Sequence, residues 1–230
     1  MSPLTGYNVS GAVAEIKMDD GKVNALSAEM LGSISACLDR AEEEEAEAVV
    51  LTGTGGTFSA GFDLRTELDG WPEMLVAGAR LAERMLSFPR PIVAACNGNA
   101  LAMGGFVLLS ADHRVGARGD YKIGLNEVRI GLTVPWFGIE IARHRLTAPY
   151  FDRCTASGVV LGPEEATAAG FLDELADPGD VRAVAHGVAE ELTSVKPDAH
   201  AATKLRIRAA PLAGIRDGID RIENREQPDW

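Results

Sequence analysis

The sequence is short of positive charge. Lys and Arg number 22 against 34 Asp and Glu, a formal charge of −12. Nucleic acid asks for a basic face toward its phosphates, so it is excluded as the main partner. An anionic membrane surface asks for the same and is excluded with it. A run of about 18 apolar residues is also missing, so no membrane-spanning helix is expected. Met1 to Ser10 lacks a basic stretch followed by an apolar one, so no secretory leader is expected. The three cysteines, Cys37, Cys96 and Cys154, lie far apart and form no CxxC pair. They read as reduced thiols of a cytoplasmic protein.

Several catalytic signatures are missing too. The loop Gly53 to Gly61 (GTGGTFSAG) invites a nucleotide reading and fails it. Counted from Gly53, a GxGxxG pattern needs glycine where Phe58 stands. Counted from Gly56, a P-loop finds its second glycine at Gly61 but has Phe62 in place of the lysine. No GxSxG elbow exists, so a hydrolase nucleophile is not expected. No HExxH exists either, and His113, His144, His186 and His200 are scattered. No metal site is readable. The acidic run through Glu42, Glu43, Glu44, Glu45 and Glu47 lacks calcium-loop spacing and reads as a solvated helix end.

What is present is an apolar fraction of 46% in 230 residues, enough for one large domain or two small ones. Glycine numbers 25, about 11% against a typical ~7%, and such an excess marks tight turns and close backbone approach. Strands are predicted over Gly11–Met18, Ala48–Thr52, Pro91–Cys96 and Asp112–Ala117. Helices are predicted after Ser27, a capping residue, and over Pro72–Ser87 and Gly104–Ala111. Later helices are expected near Trp136–Leu146, Tyr150–Ser157, Pro163–Ala169 and Val181–Leu192. Alternating strands and helices predict an α/β fold with helices covering parallel strands.

Two glycine-bearing turns follow two of the apolar strands. The first is Phe58 to Asp63 (FSAGFD), and the second is Asn97 to Gly105 (NGNALAMGG), which leads into a helix. A helix start leaves its first N–H groups unpartnered, at the positive end of the helix dipole. The N–H near Met103 is therefore a donor for a developing anion, and one from the Phe62 turn would converge on the same oxygen. Together they would make an oxyanion hole. Read on residues alone, the pair is either that or two ordinary glycine turns.

Four stretches resemble the crotonase (enoyl-CoA hydratase/isomerase) superfamily. They are VLTG with FSAGFDL (Val50–Gly53, Phe58–Leu64), NGNALAMGG with Ala111-Asp112, IGLNE with GLTVP (Ile123–Glu127, Gly131–Pro135), and DDGKVNAL (Asp19–Leu26). They stand in the family's order over roughly residues 10 to 175, where PEEA and AGFLD also fit. The resemblance implies a crotonase-like ββα superhelix core at 1–175 and a C-terminal helical trimerisation region at 176–230. It implies an acyl-CoA substrate, a homotrimer or homohexamer, and no separate cofactor, coenzyme A being part of the substrate.

Carried over residue by residue, the resemblance puts oxyanion donors on the backbone N–H of Phe62 and Met103. The backbone oxygen near Ala60 falls where the family holds adenine. Phe62 to Arg65, with Asp63 and Leu64, follows the thioester and pantetheine path, and Asp63 reads as a structural hydrogen-bonder. Of the family's two glutamates, one falls on Glu127 and the other on Phe106, which is read as lining the acyl pocket. One carboxylate suits a proton shuttle, as in the single-glutamate Δ3,Δ2-enoyl-CoA isomerases, better than the positioning of a water. His200 to Arg206 (HAATKLR), however, resembles a short branch called enoyl-CoA hydratases. The reaction implied is hydration of 2-enoyl-CoA or Δ3-to-Δ2 isomerisation with Glu127 as acid/base. The alternatives are an acyl-CoA decarboxylase and a non-catalytic acyl-CoA-binding scaffold. Pocket shape is expected from Leu68–Met85 and Trp136. Lys204, Arg206, Arg208 and Arg216 read either as a solvated helix face or as an attractor of coenzyme A phosphates.

Overall fold

In the computed structural model, residues 4–225 are described. The outermost parts of the expected divisions, residues 1–3 and 226–230, lie outside the described residues. The chain opens with a hairpin in which β1 (Thr5–Ser10) and β2 (Val13–Met18) pair antiparallel. The sequence predicts one strand over Gly11–Met18. Gly11 instead takes φ +60 in the hairpin turn, a conformation open to glycine at no steric cost. α1 (Ala28–Glu43) starts as predicted, with Ser27 Oγ accepting from the Met30 N–H at 3.2 Å. The acidic residues at its end are exposed.

Three strand–strand–helix repeats follow. The first is β3 (Ala48–Thr52), β4 (Thr57–Ser59) and α2 (Trp71–Ser87). The second is β5 (Ile92–Cys96), β6 (Asn99–Leu101) and α3 (Met103–Ser110). The third is β7 (His113–Ala117), β8 (Ile123–Gly124) and α4 (Trp136–Arg145). In every repeat the first strand joins a six-stranded sheet, ordered β1-β2-β3-β5-β7-β10, and the second joins a four-stranded sheet, β4-β6-β8-β9. The chain completes these sheets and their cover with α5 (Ala148–Cys154), β9 (Val160–Leu161), α6 (Pro163–Ala169), β10 (Glu174–Ala176), α7 (Val181–Leu192), α8 (Pro197–Ile207) and α9 (Ala209–Glu223). The smaller sheet was not expected. The predicted Gly53–Gly61 loop holds β4, and Tyr150–Ser157 gives way to an earlier α5. Among the described residues, no helix is long and apolar enough to cross a membrane.

The central strands are buried on both faces, as their unbroken apolar runs require. Side chains alternate: Val49, Leu51, Ile92, Ala94 and Cys96 join the large cluster with α1, α2 and α3. Ala48, Val50, Val93 and Ala95 meet Val181, Ala185 and Ala189 of α7 on the opposite face. The expected boundary at residue 175 falls within β10, and α7 beyond it covers the main sheet.

α3 is buried at every position. Its C-terminal carbonyls carry partial negative charge and draw cations. Arg145 donates to the Leu109 oxygen (2.9 Å) and to the Ala111 oxygen (2.5 Å). The basic tail needs correction here. Lys204 and Arg208 form no solvated face: both are 3% exposed. Lys204 Nζ donates to Asp112 Oδ2 (2.6 Å) and Arg208 Nη2 to Asp112 Oδ1 (2.7 Å). The apolar surroundings that bury this trio make pairing obligatory. Arg216 pairs with Glu83, and Arg206 is exposed. Burial works to raise the Asp112 carboxyl, but Lys204, Arg208 and the Ile92 N–H together hold it below its ordinary value. Burial pushes Lys204 down to about 8.

Asp112 thus pins the C-terminal helices to the end of α3. Asp112→Asn is expected to lower unfolding free energy by about 3–5 kcal/mol, because two buried cations lose their counter-charge. Urea denaturation checks this, and a loss below about 1 kcal/mol would refute the pinning role.

Candidate active site

The two glycine turns meet. β4 pairs with β6 in parallel, so the segments leaving both strands run side by side. Gly61 stands at φ +98. A Cβ on it would lie 2.9 Å from Ala102 Cβ, 3.0 Å from the Leu101 oxygen and 3.3 Å from the Met103 nitrogen. Only hydrogen fits in that gap. The approach brings the peptide that carries the Phe62 N–H, two bonds past Gly61 Cα, up against the turn that carries the Met103 N–H. Gly104 serves the same end, since a Cβ there would stand 2.5 Å from the Ser59 oxygen.

The segment Asp19–Leu26 holds the first turn. Leu26 N–H donates to the Gly61 oxygen (2.8 Å), and Asp63 N–H to the Leu26 oxygen (3.3 Å). Ser59 Oγ donates to the Asn24 oxygen at 2.8 Å, and Asn24 Nδ2 donates to the Thr57 oxygen at 2.8 Å. Asp20 closes this loop by accepting from the Asn24 and Ala25 N–H groups at 2.8 and 2.9 Å. In the second turn, Ala102 caps α3 at φ 49, ψ −124. A non-glycine residue held there stores strain that only firm surroundings sustain. Among the described residues, no protein group accepts a hydrogen bond from the Phe62 or the Met103 N–H. Both are free donors, and that of Met103 opens a helix whose dipole favours negative charge.

A cavity of about 150 Å³ lies against these turns. Ala60, Phe62, Leu64 and Ala102 border it on one side, Trp71 and Leu75 of α2 on another. The remaining wall runs from Asn126 to Pro135 and includes Glu127, Ile130, Leu132 and Thr133. α2 closes down at Gly78, where a Cβ would stand 2.7 Å from the Phe62 ring. The Phe62 ring meets Trp71 edge-on, centroids 6.2 Å apart.

Glu127 begins a short 3₁₀ turn, Glu127–Ile130, closed by Gly131 in the left-handed region. β8 pairs with β6, and the Ala102 N–H donates to the Gly124 oxygen at 3.0 Å. This fixes Glu127 three residues beyond a strand that is bonded to the Met103 turn. Glu127 is 6% exposed and its Oε2 has no hydrogen-bond partner. Burial pushes its carboxyl up to about 7, against a small opposing pull from its own backbone N–H. It is the one ionisable side chain lining the cavity among the described residues. A carboxyl that changes charge near neutrality suits proton transfer.

The other expected residues fall as follows. Ala60 and Leu64 line the cavity. Asp63 and Arg65 do not; they pair with each other at 2.7 Å, which holds the Asp63 carboxyl below its ordinary value. Phe106 is corrected: it is absent from the cavity wall and wholly buried. Its ring meets Phe137 edge-on at 6.0 Å and fills the space over Gly138. Its ring turns toward α4 because Gly138, having no side chain, leaves the space that the ring fills. Of the expected pocket shapers, Trp71 and Leu75 line the cavity and Trp136 does not. Sequence reasoning missed Asn126, whose Oδ1 is buried without a partner beside Glu127. Its position inside IGLNE was the available signal.

The family model described as Enoyl-CoA hydratase/isomerase matches residues 8–213. The apo structure of an Mtb enoyl-CoA isomerase superimposes with a TM-score of 0.94 at 44% identity, covering 97% of this chain and 99% of that one. A putative enoyl-CoA hydratase of Thermus thermophilus is 33% identical, over 91% of this chain and 85% of its own. The mitochondrial enoyl-CoA delta isomerase 1 of Homo sapiens is 29% identical, over 92% of this chain and 72% of its own.

The contact at Gly61 is testable against a glycine of like conformation. Gly55 stands at φ +68 with nothing near a built Cβ. Gly55→Ala is expected to cost roughly 1 kcal/mol of stability from backbone strain alone. Gly61→Ala adds the clash with the Ala102 turn and is expected to cost about 2–4 kcal/mol. Equal losses by thermal denaturation would show that the two turns are not pressed together.

Proposed function

The chain belongs to the enoyl-CoA hydratase/isomerase family, and on that footing we propose that it shifts the double bond of a 3-enoyl-CoA to the 2-position, with Glu127 as the single acid/base. The carrying observation is that Glu127 alone among the described cavity-lining residues can take or give a proton near neutral pH. The thioester oxygen sits between the Phe62 and Met103 amides, with Ala60 and Leu64 at the coenzyme A side. Glu127 removes a proton from C2. The electrons move into the thioester carbonyl, and the dienolate oxygen is held by the two amides. The protonated Glu127 then delivers its proton to C4, leaving the double bond between C2 and C3. Atoms balance with no water consumed.

The surroundings favour this over hydration. A hydratase must orient a water and supply a second proton-transfer group. At the position that would carry a second glutamate, Phe106 packs in the core.

Glu127→Gln is expected to lower turnover of 3-enoyl-CoA by ~10²–10⁴-fold. In the native protein, isomerisation of 3-enoyl-CoA should outpace hydration of 2-enoyl-CoA. The reverse ratio would make it a hydratase, and binding of acyl-CoA without turnover would make it a scaffold.

The pH dependence follows from the raised carboxyl. The base form of Glu127 requires a pH above about 7, so kcat/KM should fall about tenfold per unit below that value. Stability moves the opposite way. The folded state holds this proton more tightly than the unfolded chain, so raising pH from 4.5 to about 7 removes stability. Glu127→Gln should therefore stabilise the fold by up to about 3 kcal/mol at pH 8, and by little near pH 4.5. Chemical denaturation at the two pH values reads the difference. A variant destabilised at pH 8 would contradict the buried, unpaired carboxylate.

A further inference from the structure

The C-terminal end of α3 carries more positive charge than its carboxylates balance. Arg114 Nη2 donates to Asp173 Oδ1 at 2.6 Å. Lys204 and Arg208 share Asp112, and Arg145 is spent on neutral backbone carbonyls. Four buried or half-buried cations thus face two carboxylates. Their crowding is felt nearby. Burial, with Arg145, Arg208 and Arg114 behind it, pushes His144 down to about 4. Burial and the neighbouring arginines push Arg145 down to about 9. Uncompensated charge in such surroundings is costly, and an added anion relieves it.

A cavity of about 350 Å³ opens onto this cluster. Its wall includes Asp112, Lys196, His200, Thr203, Lys204 and Arg208. Two of these side chains hold a buried polar atom with no protein partner: Nε of Arg208 and Nε2 of His200. Arg208 is 3% exposed, so its Nε–H is desolvated without any compensating bond. The Lys204 ammonium has three N–H groups, of which one goes to Asp112 and one, at 3.4 Å, to the Arg90 oxygen. Burial keeps His200 below its ordinary value and hence neutral, so its Nε2 can donate in one tautomer. Lys196 adds exposed positive charge at the rim. The volume far exceeds the ~30 Å³ share of one water.

We infer that this cavity binds a small oxyanion of the phosphate or carboxylate type, held by Arg208, Lys204 and His200. The site lies at the end of α3 opposite Met103 and shares no lining residue with the Glu127 cavity. It is therefore separate from the place of chemistry. Arg208, whose Nη1 donates to the Leu86 oxygen and Nη2 to Asp112, has its Nε–H left to give, and Lys204 adds a point charge with one N–H to spare.

The test is calorimetric titration of the full chain with inorganic phosphate and, separately, with acetate. Both are compared with chloride at equal ionic strength, and thermal midpoints are recorded alongside. Saturable binding of either anion, with a rise in midpoint over chloride, supports the site, and the tighter of the two identifies the class. No binding of either beyond chloride overturns it. Lys204→Gln is expected to abolish binding, but it disturbs a buried pair. Thr203→Glu, on the exposed rim, adds only a like charge and is expected to weaken binding by roughly tenfold. Binding unchanged in Thr203→Glu would overturn the location. Displacement of bound phosphate by free coenzyme A would place the anion in the substrate's own site and overturn the separation.

Discussion

Everything at the candidate site depends on one close approach of two backbones. Gly61 presses against Ala102 and Met103 at a distance no side chain allows, and the two turns that carry the free amides meet because of it. The rest of the architecture serves this contact. The parallel pairing of β4 with β6 aims the two segments along one another. The pairing of β6 with β8 then carries Glu127 to the same place. The loop of Asp20 and Asn24 clamps the first turn from outside, through N–H groups and carbonyls that would otherwise be buried unpaired. The strained Ala102 is tolerated because the neighbouring strands leave it no relaxed alternative.

α3 ties this site to the body of the protein. Its N-terminus presents Met103, and its C-terminus is held by Arg145 on the backbone and by Asp112 beyond it. Asp112 in turn anchors Lys204 and Arg208 from the C-terminal helices. A helix buried on all sides has no solvent to satisfy its ends. The negative end therefore gathers cations, while the positive end is left open toward the cavity. The asymmetry leaves one short helix anchored as a structural post at one end and with an unpartnered N–H at the other.

Much of this was legible in the residues, for physical reasons that differ from part to part. β3 and β5 could be read because double burial demands unbroken apolar runs. The two glycine turns could be read because close backbone approach leaves a compositional trace. The small sheet could not, since β8 and β9 are two residues each and no periodicity can register in so short a span. Lys204 and Arg208 were read as either a solvated face or a phosphate attractor and not as a buried pair, because spacing along a helix reveals which residues share a face, not what that face touches. Their partner, Asp112, is far off in sequence. Phe106 was placed in the pocket on its position after Met103, but the direction its ring takes depends on Gly138, on a helix whose packing partner the local pattern does not reveal. Asn126 escaped because an amide in a loop looks like any turn residue until its neighbours are known.

The free donors belong to peptide units rather than side chains, and this bears on inheritance. Every residue except proline brings the same N–H to a given position. Phe62 and Met103 can therefore be exchanged by mutation without erasing the donors, provided the glycine contacts survive. Their side chains face different business: the Phe62 ring forms cavity wall and meets Trp71, and Met103 packs beneath α2. A lineage carrying this scaffold can remodel the shape of its pocket one codon at a time while the pair of free N–H groups passes down unaltered.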